Sequence, residues 1–250
     1  TIISESGLST IAEIDDIISG IYREPKITLI AGNTNPETIH KELRCKFKLN
    51  VLQIMFSAGN HGERKRLIEI VSQLQKQKVF SQPLKILDMF ACIGNLSLPI
   101  AVNLSDIEVH GIEINDNAYQ YLIETIVINN LAKGSSYYAS HGDNRKIIYK
   151  KKFHIIIMGY FQIEKSHLKT ALENLEKPFA IIFVHDVIFK NEPPKTIVLM
   201  EELLKEEMFS HLSIKKRNIH KIKSLSPSVN HVVIEYQINS DSNVKMIRKR

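Results

Sequence analysis

From residue 84 onward the chain alternates short apolar runs with amphipathic stretches, and that alternation leaves few architectures open. The runs are "LKILDMF", "IEVHGIEI", "SSYYASHGD", "KFHIIIMGY" and "PFAIIFVHDV". Between the first three lie "NLSLPIAVNL" and "NAYQYLIETIVINNL", with Leu, Ile and Ala at helical spacing. Strands without polar alternation are buried on both faces, so the pattern implies a parallel sheet covered by helices on each side. A helix, "TIVLMEELLKEEM", and two strands, "HLSIKKRNIHKIK" and "HVVIEYQI", follow. Two strands so close together predict an antiparallel hairpin on the sheet's edge.

The preceding segment reads differently. "STIAEIDDIISGIY" has helical spacing at Ile11, Ile14 and Ile18, "ITLIAG" a strand, and "CKFKLNVLQIMF" alternates at Cys45, Phe47, Leu49 and Val51. "GERKRLIEIVSQLQKQK" is a connecting helix. The expected class is α/β, a Rossmann-like sheet over residues 80–250 preceded by a small mixed α/β unit over residues 1–79.

The 250 residues are 44% hydrophobic and 24% charged, an ordinary globular balance. No apolar run approaches the ~20 residues of a membrane span, and the first residues lack a signal-peptide pattern, so a cytoplasmic location is expected. The two cysteines, Cys45 and Cys92, have no CxxC or CxxH partner. That argues for free thiols and against a metal site. The net charge of +6 suits a polyanionic partner. Cations gather at Arg64–Arg66, Lys150–Lys152, Lys215–Lys223 and at Lys245 and Arg248–Arg250. Each cluster also reads as a solvated face.

In a doubly wound sheet, ligands sit beyond the carboxyl ends of the strands. The first run ends in Asp88, followed by a loop with Gly94 as its one glycine. That is no GxGxxG, so a pyrophosphate has no bare backbone to approach. Asp88 favours a cation, and S-adenosylmethionine is a phosphate-free one. Glu113 ends the second run, where an acid accepts ribose hydroxyls. Asp143 and Asn144, after the third, suit the adenine ring, although each acid is also an ordinary helix cap. After the fourth run, Gly159 admits a flat base, and Tyr160 and Phe161 offer stacking surfaces. His185 and Asp186, after the fifth, read as a proton relay or as structure.

"MFSAGNHGERKR", "ILDMFACIGNLSLPIA", "GIEINDNAYQYLIETIVINN", "SHGDNR", "MGY" and "SVNHVVIEYQI" occur in an order that resembles one group of tRNA-modifying enzymes. The group holds the archaeal and eukaryotic tRNA guanine-N1 methyltransferases and the tRNA wybutosine-synthesizing protein 2 family. In the methyltransferase branch the opening turn resembles "FSPR". Here Ala58 and then Gly59-Asn60 stand in its place, as in the wybutosine branch. Met158-Gly159-Tyr160 replaces the methyltransferases' Asn-Pro or Leu-Pro. Cys92 stands where the family usually has glycine, and Ala58 where it has proline.

The resemblance implies transfer of the 3-amino-3-carboxypropyl arm of S-adenosylmethionine to C7 of 4-demethylwyosine, the modified guanosine at position 37 of a tRNA anticodon loop. The alternative it implies is a guanine-N1 methyltransferase, or a dual-substrate relative, acting at the same position. It carries Ser57, Arg64, Glu113, Asp143 and Asn144 over as cofactor contacts. Phe56, Asp88, Phe90, Ala91, Gly94, Ile114 and Gly159 complete the expected cofactor wall. Arg64 is expected to grip the arm's carboxylate, and Gly159, Tyr160 and His185 to face the acceptor base. No metal is expected, because the leaving thioether is neutral. A monomer is the working expectation.

Overall fold

The computed structural model describes residues 9–15, 20–189 and 192–240. Its centre is a seven-stranded sheet. The strands are β5 (Leu84–Asp88), β6 (Ile107–Glu113), β7 (Ser136–His141), β8 (Ile155–Met158), β9 (Phe179–Phe189), β10 (Leu212–Ser226) and β11 (Val229–Ser240). Their order is β10-β11-β9-β8-β5-β6-β7. β5 pairs in parallel with both β6 and β8, so the strand order reverses around it. β7 and β9 extend the parallel set at either side. The late hairpin docks through β11, antiparallel to β9, and leaves β10 as the edge.

Alternation along the buried strands divides the core into two layers. Ile155 and Ile157 of β8 join one cluster, Ile156 and Met158 the other. The first cluster also holds Leu67 and Val71 of α1 (His61–Lys76), Leu98 and Ile100 of α2 (Leu98–Asn103), and Ala118 and Leu122 of α3 (Asp116–Val127). The second takes Leu168 and Ala171 of α4 (Lys165–Glu173) with Ile197 and Met200 of α5 (Lys195–Leu203). The sheet is therefore covered on both faces, as the apolar runs imply.

Two small hairpins precede it. β1 (Thr10–Ile14) pairs with β2 (Ile27–Gly32), and β3 (Glu37–Glu42) with β4 (Cys45–Asn50). The helix expected over Ile11 and Ile14 is therefore a strand, while Ile18 lies outside the described residues. Thr10, Ile11 and Ile14 are β-branched, and pairing with the "ITLIAG" strand outweighs a three-residue helical spacing. β3 has no counterpart in the sequence reading. Cys45, Phe47 and Leu49 of β4 pack into the first core cluster beside Leu67.

Candidate ligand and acceptor site

A cavity of about 200 Å³ opens at the carboxyl ends of the parallel strands. Its wall includes Ser57, Arg64, Phe90, Glu113 and Ile114 of the expected residues, with Asp143, Asn144, Gly159, Tyr160 and His185. Residues more than a hundred positions apart thus meet at one rim. Phe56, Asp88, Ala91 and Gly94 lie outside the wall and shape the loops behind it.

Asp88 is fully buried, and its Oδ1 accepts from the Phe90 amide at 3.2 Å. Burial raises its carboxyl to about 6. Ala91 is buried and donates its amide to Ile112. Gly94 has φ +85, and a Cβ there would lie 2.9 Å from that of Leu98, so the turn requires glycine. Cys92 has φ +51, which explains the family's usual glycine at this position. Its amide donates to Glu113 Oε2 at 2.7 Å and helps hold the left-handed loop.

Glu113 Oε1 accepts the Asn115 amide at 2.8 Å. Each carboxylate oxygen keeps a second lone pair, so Glu113 is oriented without being used up. Burial raises its pKa, and the amides oppose that shift. A hydroxyl-bearing ligand would complete its shell. Asp143 is more fully committed: Arg145 Nε and Nη2 take its two oxygens at 2.9 Å each. Those bonds lower its pKa. Asn144 donates Nδ2 to the Met89 carbonyl at 2.7 Å, which points Oδ1 elsewhere. Asn144 Oδ1, Asn60 Oδ1 and Asn95 Oδ1 are buried without a hydrogen-bond partner among the described residues. All three residues line the cavity. Buried orphan acceptors are costly unless a ligand or water supplies donors, so this wall offers three acceptors to a donor-bearing guest or to water.

Arg64, 1% exposed, is held by two hydrogen bonds and an ion pair. Nε donates to Asn95 O and Nη2 to Ser57 O, each at 2.9 Å, while Nη1 lies 2.9 Å from Glu42 Oε1. The guanidinium sits 4.6 Å from the Phe56 ring centroid, which places Phe56 behind the cavity wall. A ligand carboxylate at Nη1 would compete with the ion pair to Glu42. The geometry makes Arg64 the tie between the Ser57 turn and the Asn95 loop. Lys223, from β10, reaches that turn and donates to Ser57 Oγ at 2.9 Å. Among the described residues no carboxylate pairs with Lys223, and burial lowers its pKa.

On the rim after β8, Tyr160 stacks on Phe90 at 4.9 Å between centroids and 21° between planes. Arg23 lies 5.9 Å above Tyr160. A Cβ on Gly159 would meet Leu96 Cδ1 at 2.8 Å, so a larger residue there must displace the Leu96 side chain. Sequence reasoning missed Tyr22, Arg23, Asn60 and Asn95 in this wall and Lys223 and His231 beside it. Asn60 and Asn95 lie within the quoted motifs. His231 lies within the quoted "SVNHVVIEYQI", Lys223 belongs to a cluster that also reads as a solvated face, and nothing local marks Tyr22 or Arg23.

This sheet order, with its cavity at the point of reversal, defines the Rossmann-like S-adenosylmethionine-dependent transferase fold. The chain belongs to the TRM5/TYW2 methyltransferase domain family, whose model matches residues 38–215. A relative from Methanocaldococcus jannaschii is 33% identical over 222 residues, covering 87% of this chain and 81% of its own. It is named tRNA(Phe) (4-demethylwyosine(37)-C(7)) aminocarboxypropyltransferase. A Pyrococcus horikoshii protein of the same name is also 33% identical, over 88% of this chain and 74% of its own. The solved structure of M. jannaschii TYW2 in complex with AdoMet superposes with TM-score 0.70 at 31% identity, over 86% of this chain and 90% of that one.

Among the described residues no helix is long and apolar enough to cross a membrane, and no group of three or more His, Cys, Asp or Glu could hold a metal.

Proposed function

We propose that the protein transfers the 3-amino-3-carboxypropyl group of S-adenosylmethionine to C7 of 4-demethylwyosine at position 37, in the anticodon loop of tRNA. The two 33% identical relatives support the reaction. The observation that carries the choice of arm is the Ser57–Asn60 turn. It contains no cation of its own, and it is met from outside by Lys223. When bound, S-adenosylmethionine supplies carbons activated by a sulfonium, and the residues around it select which one faces the acceptor. Glu113 holds the ribose hydroxyls, and Asn144 Oδ1 accepts the adenine amino group. Asn60 and Asn95 offer acceptors to the arm's ammonium, and Lys223 with Ser57 takes its carboxylate. Arg64 fixes the turn on which these contacts depend. Tyr160, stacked on Phe90, provides the surface for the acceptor base.

The test is incubation with tRNA bearing the acceptor base and S-adenosylmethionine labelled separately in its methyl and carboxyl carbons. Carboxyl label in the tRNA is the expected result. Methyl label instead would establish the guanine-N1 or demethylwyosine methyltransferase reading.

Glu113→Ala and Asn144→Ala should each weaken S-adenosylhomocysteine binding roughly tenfold or more, since a hydrogen bond to a charged or orphaned group contributes ~1.5–3 kcal/mol. Asp143→Ala should weaken it less, because Arg145 already gives Oδ1 two donors and Oδ2 one. Calorimetric titration in which Glu113→Ala binds like wild type would remove Glu113 from the site.

For tRNA, residues 1–79 are proposed to assist binding, since Tyr22 and Arg23 close one side of the cavity. Within the β10 cluster, Arg217 is paired with Glu201 at 2.7 Å, while Lys216 and Lys221 are exposed. Reversing the charge of Lys216 and Lys221 should flatten the salt dependence of tRNA affinity by about one to two units of log–log slope. An unchanged slope would leave these lysines as protection of an exposed sheet edge. Lys245 and Arg248–Arg250 lie outside the described residues.

A further inference from the structure

Two buried imidazoles meet where the cavity reaches the late hairpin. His185 is 2% exposed and His231 0%. His185 Nδ1 and His231 Nε2 stand 3.0 Å apart. The outer nitrogens, His185 Nε2 and His231 Nδ1, have no hydrogen-bond partner among the described residues.

The position of the pair is set by strand register. Val184 is the last residue of β9 paired with β8, opposite Met158. His185 is therefore the first residue beyond that ladder, on the carboxyl rim. It lines the cavity with Tyr160 and Phe161. His231 comes from β11, two positions before Val233, the partner of His185. The Phe161 ring packs edge-on against His231 at 4.8 Å.

Both rings are held neutral. Burial pushes His185 well below the ordinary histidine range, and His231 and Arg66 add repulsion. Burial lowers His231 to about 4, with Lys223 as the further cause. Two neutral imidazoles at this distance share one hydrogen, so two tautomers are open. In one of them His185 Nδ1–H donates to His231 Nε2. That tautomer leaves a bare lone pair on His185 Nε2.

We propose that His185 Nε2 takes the proton that leaves C7 of the acceptor base, and that His231 is the positioning residue that holds His185 in the competent tautomer. The proposal rests on the aminocarboxypropyl-transfer reading. The ring's π pair forms the bond from C7 to the arm's terminal carbon. The bond from that carbon to sulfur breaks, its pair goes to sulfur, and a neutral thioether leaves. The acceptor ring then carries the positive charge, with hydrogen and the new carbon both on C7. Transfer of that proton to His185 Nε2 returns the bonding pair to the ring. No oxidant or reductant enters. A ring proton of this kind is strongly acidic, so a weak base suffices, and the base must begin neutral. The surroundings of the pair meet both conditions.

The test is single-turnover arm transfer to tRNA whose acceptor base carries hydrogen or deuterium at C7. His185→Ala should slow transfer about a hundredfold or more, with a primary isotope effect larger than wild type. Added imidazole should restore part of the rate. His231→Asn should show a smaller loss with the same enlarged isotope effect. Affinity for S-adenosylhomocysteine should stay close to wild type in both. A wild-type rate for His185→Ala, or a slow rate without an enlarged isotope effect, would overturn the proposal. Should the variants not fold, nitrogen-15 histidine spectra of the wild-type protein decide: His185 protonated at Nδ1 supports the proposal, and at Nε2 overturns it. A wild-type protein that transfers no arm overturns the functional reading, and this proposal with it.

Discussion

Arg64→Ala is expected to lower stability by about 3 kcal/mol, the lower end of the cost of breaking a buried ion pair, because His40 still meets Glu42 Oε2 at 3.1 Å. The substitution removes two bonds to the Ser57 and Asn95 carbonyls and leaves Glu42, whose side chain is only 9% exposed, without its guanidinium. For a chain of this size the melting temperature should fall by about 10 °C. Arg64→Lys should recover the charge but not the three-way geometry, because an ammonium cannot replace the planar fork. Adding Glu42→Gln to Arg64→Ala should return part of the lost stability, since the stranded charge disappears. Arm transfer should fall sharply in Arg64→Ala as the Ser57–Asn60 turn loosens, while 5′-methylthioadenosine binding falls by a smaller factor. Thermal melts and single-turnover assays read both effects. A variant as stable and as active as wild type would reduce Arg64 to a cation of no special consequence.

Lys223→Met should separate the two ends of the cofactor. If the arm's carboxylate lies against Lys223 and Ser57, its loss removes a charge-assisted bond of ~1.5–3 kcal/mol. Affinity for S-adenosylmethionine should then drop roughly tenfold to a hundredfold. 5′-Methylthioadenosine lacks the arm and should bind nearly as well as before. The methionine keeps the length of the apolar stem, so packing against Gly59, whose Cβ position is 3.4 Å from Lys223 Cδ, is preserved. Parallel titrations with the two ligands give the ratio that matters. Equal losses for both would place Lys223 in the structure of the turn rather than on the carboxylate.

The alternating runs from Leu84 to Val187 were legible as a parallel sheet because strands buried on both faces admit no polar alternation. Glu113, Asp143, Asn144, Gly159 and His185 were legible as neighbours on one rim for a related reason. A doubly wound sheet directs its strand ends to one rim, so position in the strand pattern already places them. The β1 strand was misread as a helix because spacing over three isoleucines carries less information than a pairing partner elsewhere in the chain. Tyr22 and Arg23 escaped notice because Tyr22 ends the "STIAEIDDIISGIY" stretch and Arg23 follows it, where no strand-end position marks a rim.

What the sequence by itself determined was therefore the sheet, its helical cover and the rim on which chemistry must occur. Each follows from hydrophobic period and strand-end position, which are local properties. The tertiary structure decided how the site's charges are spent. It committed Arg64 to Glu42 and two carbonyls, tied Asp143 to Arg145, brought Lys223 from β10 to Ser57, and paired His185 with His231. Such assignments depend on which side chains meet across distances of tens to hundreds of residues. A buried charge takes whichever partner the fold places within reach, and no local pattern records that choice.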